Sequence, residues 1–73
     1  MPVKVFIEKK GRKGKTVTMI TGIPHNPQVI ERMARELKKK CGAGGTSYQK
    51  TIEIQGEHLD VVNKYLEEEG LLR

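Results

Sequence analysis

The chain has 73 residues and a formal net charge of +5, fourteen Lys and Arg against nine Asp and Glu, which leaves material for one hydrophobic core and excludes a second domain within residues 1–73. Its single cysteine, Cys41, excludes an internal disulfide and fits a reducing compartment; no apolar run approaches the ~18 residues that span a bilayer. A soluble, cytoplasmic protein with no membrane partner is expected, and the positive excess favours a polyanion.

Val3, Val5 and Ile7 alternate with Lys4, Phe6 and Glu8, the period of a first strand, with Phe6 on the face opposite the β-branched set. The stretch Glu8 to Lys15 reads Glu-Lys-Lys-Gly-Arg-Lys-Gly-Lys. Val17, Met19 and Thr21 then alternate with Thr16, Thr18 and Ile20, so the two strands should form an antiparallel hairpin whose tip uses φ > 0 at Gly11 and Gly14. Ile23-Pro24-His25-Asn26-Pro27 ends the sheet and opens a helix, with Asn26 as N-cap and Pro27 in the first position, where its missing donor costs nothing.

Ile30, Met33, Ala34, Leu37 and Cys41 recur at helical spacing as one apolar stripe, and Arg32, Arg35 and Lys39 share another face. Glu31 with Arg35 and Glu36 with Lys40 stand at i, i+4, each pair contributing ~0.2–0.5 kcal/mol. Gly42 suits the helix end, and Lys38, Lys39 and Lys40 suit its negative pole. After the Gly42 to Gly45 loop, Thr46 to Gln49 and Thr51 to Gln55 read as two more strands. From about Glu57 a second helix is expected, with Leu59, Val62 and Leu66 on one stripe and Val61 and Tyr65 beside it, ending at Gly70 before the apolar tail Leu71-Leu72-Arg73. The order ββαββα implies an α+β two-layer sandwich, two helices on one face of a four-stranded sheet.

Lys9, Lys10, Arg12, Lys13 and Lys15, with Gly11 between them, run without an intervening acid; such self-repulsion at a hairpin tip is relieved by an external anion. RNA or DNA phosphate is the expected ligand, and Arg12 the bidentate contact. Arg32, Arg35 and Lys38 to Lys40 form a candidate second patch, in which lysine charge must supply the attraction because a helix C-terminus opposes an anion. The glycine loop is no phosphate loop: no Gly-Lys-Ser/Thr follows, and it leaves a helix instead of opening one. Cys41, His25 and His58 lack metal-ligand spacing, and Ser47 is the only serine, so no metal, cofactor or enzymatic activity is expected. Three aromatics, Phe6, Tyr48 and Tyr65, do not make the stacking platform of an RNA-recognition motif.

Three motifs carry a family resemblance: Gly11-Arg12-Lys13-Gly14-Lys15-Thr16, then Leu37-Lys38-Lys39-Lys40-Cys41-Gly42-Ala43-Gly44-Gly45-Thr46, then Ile52-Glu53-Ile54-Gln55-Gly56-Glu57. In this order and spacing they resemble translation initiation factor one of eukaryotes, its archaeal counterpart and related bacterial proteins, over nearly the whole chain. The resemblance implies a factor that binds the small ribosomal subunit near the peptidyl-tRNA site, contacts ribosomal RNA and enforces start-codon accuracy. It assigns approach to codon and initiator tRNA to Gly11, Arg12, Lys13 and Lys15, and ribosomal RNA contact to Lys38, Lys39 and Lys40, with Arg32 and Arg35 alongside. Messenger RNA and other initiation factors are further implied partners of a monomeric protein. Glu57 stands where many relatives have Asp, and Ala43 where some have a second cysteine. Contacts that relatives make through terminal extensions are not expected here. The competing classes are a ribosome-binding regulator that inhibits translation without selecting start codons, and a generic nucleic-acid binder.

Overall fold

Alternation over the first twenty residues produces β1 (Lys4–Lys10) and β2 (Lys15–Thr21), paired antiparallel from Lys4 opposite Thr21 to Lys10 opposite Lys15. The computed structural model describes residues 3–11 and 14–71, with Lys10 described by its backbone alone. Helix α1 (Pro27–Cys41) starts where expected: the Asn26 side-chain oxygen accepts from the Val29 N–H at 2.9 Å, and Pro27 occupies the first turn. It ends in a Schellman-type closure in which the Ala43 N–H donates to the Lys38 carbonyl at 3.2 Å and the Gly42 N–H to the Lys39 carbonyl at 3.3 Å. Strands β3 (Gly45–Tyr48) and β4 (Thr51–Gln55) and helix α2 (Leu59–Glu68) follow. The sheet is antiparallel throughout, in the order β1-β2-β4-β3, so β2 and β4 are central and β1 and β3 are edges.

Both helices cover the same face, α1 over β3 and β4 and α2 over β1, which confirms the expected α+β sandwich. Cross-strand rungs such as Val5–Ile20–Ile52 and Ile7–Thr18–Ile54 supply the floor. Ile30, Met33 and Leu37 of α1 and Val62 and Leu66 of α2 close over it, all essentially inaccessible to water. Cys41 lies half-buried against this core, at the end of the α1 stripe that predicted it.

Thr18 is the one polar side chain in that floor that is fully buried among the described residues. Its hydroxyl donates to the Gly56 carbonyl at 2.7 Å and accepts from the His58 N–H at 3.0 Å. The central strand is thereby tied to the bend between β4 and α2, where His58 is half-buried. Thr18→Val keeps the shape but leaves both backbone groups without a partner, and chemical denaturation should show a loss of ~1–3 kcal/mol.

The structure corrects several boundaries. β3 runs one residue earlier than expected, so the turn to β4 is Gln49-Lys50 instead of Lys50 alone, with Gln49 at φ 50°. α2 starts at Leu59 instead of near Glu57 and ends at Glu68. Leu59 and Val61 do not join the buried stripe; they are 36% and 37% exposed, while Val62, Tyr65 and Leu66 face the core. Leu59 and Val61 instead line a shallow groove beside Ile7 at the β1 edge, so spacing alone places Leu59 one contact too deep. On the face without helices, Val17 and Met19 are nonetheless buried, because β2 is central and neighbouring side chains flank both. Phe6, directly across from Met19, stays 41% exposed as its alternation predicted.

Candidate nucleic-acid interface

β2 pairs with β4 only between Val17 and Ile20, whereas it pairs with β1 out to Lys15. The rungs Lys9–Thr16 and Lys10–Lys15 therefore overhang the four-stranded body by about 7 Å, at ~3.4 Å per residue. At the root of this ribbon the Gly56 N–H donates to the Thr16 carbonyl at 2.8 Å. At its tip the Gly14 N–H donates to the Gly11 carbonyl at 3.1 Å, and the two glycines sit at φ 62° and 80° with open space around them. Only glycine takes such φ values without penalty, so the pair defines the turn that the sequence assigned to it. Arg12 and Lys13, the expected centre of the phosphate contact, lie outside the described residues.

Lys9 and Lys15 are exposed, and among the described residues neither is paired with a carboxylate. These two described cations of the ribbon are thus solvated and not neutralised by a described carboxylate. The tip of the ribbon shares an end of the molecule with the α1 C-terminus, since β4 runs antiparallel to β2 and the Gln55 N–H donates to the Gly44 carbonyl at 2.9 Å. Two strand spacings, about 10 Å, separate the columns that carry the ribbon and the α1 end.

The helix charges fan out around α1, with Lys38 and Lys40 turned to either side of the face that the spacing gives Arg32, Arg35 and Lys39. Arg32, Arg35, Lys39 and Lys40 are exposed and Lys38 is half-buried, but successive helical residues turn by ~100°. Lys38 faces the groove beside β3 together with Arg35, whereas Lys39 and Lys40 flank α2 near Tyr65 and Glu68. Glu31 and Arg35 form their expected pair at 3.7 Å, with both side chains more than 60% exposed, so it adds little. Glu36 does not pair with Lys40 as its spacing suggested. Its carboxylate accepts instead from the Tyr65 hydroxyl, and the Lys40 ammonium lies 5.9 Å from the centre of the Tyr65 ring. Tyr65 is brought there by α2, a tertiary approach no i, i+4 rule contains.

Burial, and then the hydrogen bond to Glu36, push the Tyr65 phenol well above its ordinary range. A phenol raised in this way stabilises the fold fully below its unfolded value of about 10, and the contribution declines as pH climbs toward the raised value. Tyr65→Phe should therefore lower stability at neutral pH while flattening its decline above about pH 10, which denaturant midpoints across that range would show.

The remaining reactive side chains are dispersed. His25 lies in the loop after β2, at the end of the molecule opposite the ribbon, where the Lys50 ammonium donates to its carbonyl at 3.2 Å. His58 is held by the β4–α2 bend, one ring nitrogen 2.8 Å from the Gln55 carbonyl. Burial pushes the Cys41 thiol up, away from a reactive thiolate. Among the described residues no three His, Cys, Asp or Glu side chains gather as metal ligands, and no helix is long and apolar enough to cross a membrane.

Element order, sheet pairing and charge layout define a small basic α+β domain of the ββαββα kind. The chain belongs to the translation initiation factor SUI1 family, whose sequence model matches residues 1–72. It is 45% identical over 69 residues to the uncharacterized protein YciH of Salmonella typhimurium, covering 94% of this chain and 64% of that one. It is 46% identical over 69 residues to the protein translation factor SUI1 homolog of Thermoplasma volcanium, covering 93% and 68%. The corresponding SUI1 homolog of Pyrococcus horikoshii is 43% identical over 68 residues, covering 93% and 68%. The chain thus spans about two thirds of the length of these relatives.

Proposed function

We propose that residues 1–73 act as one monomeric, cytoplasmic initiation-factor domain. It binds the small ribosomal subunit near the peptidyl-tRNA site and favours correct start codons. One observation carries this reading: in a chain of the SUI1 family, a cationic ribbon overhangs the body, with Lys9 and Lys15 exposed and without a carboxylate partner among the described residues, beside the lysine-bearing end of α1. The ribbon, with Lys9, Lys10, Gly11, Arg12, Lys13 and Lys15, reaches messenger RNA and initiator tRNA. Arg32, Arg35, Lys38, Lys39 and Lys40 contact ribosomal RNA from both flanks of α1.

The mechanism needs no catalysis. Multiple ammonium and guanidinium groups displace counterions from RNA on binding, which gives affinity without sequence preference. Selectivity comes from shape: the ribbon occupies space that a closed codon–anticodon arrangement requires, so only a pairing strong enough to displace it proceeds. A reconstituted initiation assay comparing cognate and near-cognate codons tests this directly. The protein should suppress near-cognate initiation more than cognate; equal suppression of both would make it an inhibitor of translation instead.

A further inference from the structure

The two edges of the sheet are built differently. β1 carries Lys4, Glu8, Lys9 and Lys10, the charges that keep an edge strand from pairing with another chain, whereas β3 is Gly45-Thr46-Ser47-Tyr48, without charge or proline. The hydrogen bond from Gln55 to Gly44 fixes the parity of the β3–β4 ladder, since bonded and unbonded pairs alternate in antiparallel sheets. Thr46 and Tyr48 bond inward to Glu53 and Thr51. Gly45 and Ser47 turn their N–H and C=O groups outward, away from the sheet. Along this edge runs a groove of about 520 Å³ between β3 and α1, with Ile30 and Ala34 at its base and Arg35 and Lys38 on its helical wall.

An open strand edge beside a helix is the arrangement that accepts an extended peptide as an additional strand. The geometry points to β3 as a docking edge for an extended acidic segment of a partner protein. The segment's backbone bonds to Gly45 and Ser47, and its groove-facing carboxylates meet Arg35 and Lys38. Two cations against the single acid Glu31 give the wall its sign, and the repeat of outward N–H and C=O groups at every second residue matches a strand backbone. This surface shares Arg35 and Lys38 with the proposed ribosomal RNA contact, but its backbone edge at Gly45 and Ser47 lies across the sheet from β1, so those two amides read the peptide apart from the ribbon.

The probe is an acetylated and amidated hexapeptide of alternating glutamate and valine, titrated into the isotope-labelled chain and followed by backbone amide shifts and hydrogen exchange. The expected result is movement and about tenfold slower exchange at the Gly45 and Ser47 amides, with the hairpin unchanged. Ser47→Pro removes an outward donor without touching the β4 ladder and should abolish the effect. The double substitution Arg35→Glu with Lys38→Glu should transfer the preference to a lysine–valine peptide, which keeps the proposal testable if the proline variant fails to fold. Shifts confined to the hairpin lysines, or no shifts at all, would overturn it. Protection of the same amides by a single-stranded RNA oligonucleotide, or by raising the concentration of the chain alone, would assign the edge to RNA or to a second copy and equally reject the peptide.

Discussion

Reversing the two tip charges, Arg12→Glu with Lys13→Glu, should weaken binding to the small ribosomal subunit by roughly tenfold or more and reduce the salt slope of that binding by about 2, one unit per phosphate contact. The thermal midpoint should scarcely move, because the buried core is made by apolar side chains of other residues. Start-codon stringency should fall in parallel with affinity. A titration at several salt concentrations, run beside a melting curve, separates these outcomes. If the variant binds with the parental salt slope, the ribbon is not the part that meets phosphate. The same substitutions placed on α1, at Lys39 and Lys40, should change the slope less, since Lys40 is already engaged above the Tyr65 ring.

Leu37→Ala should have the opposite profile: a large loss of stability with no direct effect on charge. Leu37 is fully buried in the last third of α1, among the core side chains. Truncating it removes three carbons and leaves a cavity, at a cost of ~2–5 kcal/mol. A core of this size rarely supplies more than ~3–5 kcal/mol in total, so much of the chain should be unfolded at physiological temperature. Calorimetry should show the midpoint reduced by about 10 °C or more, at ~4–8 °C per kcal/mol for a domain this short. Subunit binding measured well below that midpoint should survive, which distinguishes scaffold from contact.

The features that the amino-acid pattern announced are those governed by local rules. Alternation from Val3 to Ile7 and from Thr16 to Thr21 produced the hairpin, Asn26 with Pro27 marked the start of α1, and the stripe from Ile30 to Leu37 is the buried one. What stayed hidden depends on which strand lies beside which. Nothing in Val17 or Met19 says that β2 is central and flanked on its open face, and nothing in Leu59 says that it stays in a groove beside Ile7 at the sheet edge. Gln49 at φ 50° carries no turn signature; the register between β3 and β4 imposes that conformation on it. The candidate site divides in the same way. The cationic hairpin was legible as composition, but the separation of Lys38 from Lys39 and Lys40, and the withdrawal of Glu36 toward Tyr65, needed the packed helices.

The outermost rung of the ribbon pairs the backbones of Lys10 and Lys15, and two residues of like charge at facing register positions cost a sheet a fraction of a kcal/mol, ~0.2–1 by cross-strand measure. Zipping that rung and seating an anion over it are consequently linked equilibria, each favouring the other by the same amount. If the finger binds a polyanion as proposed, dilute salt would both loosen it when unliganded and strengthen its grip, so ionic conditions would act on it twice: once through the ligand, once through its own fraying.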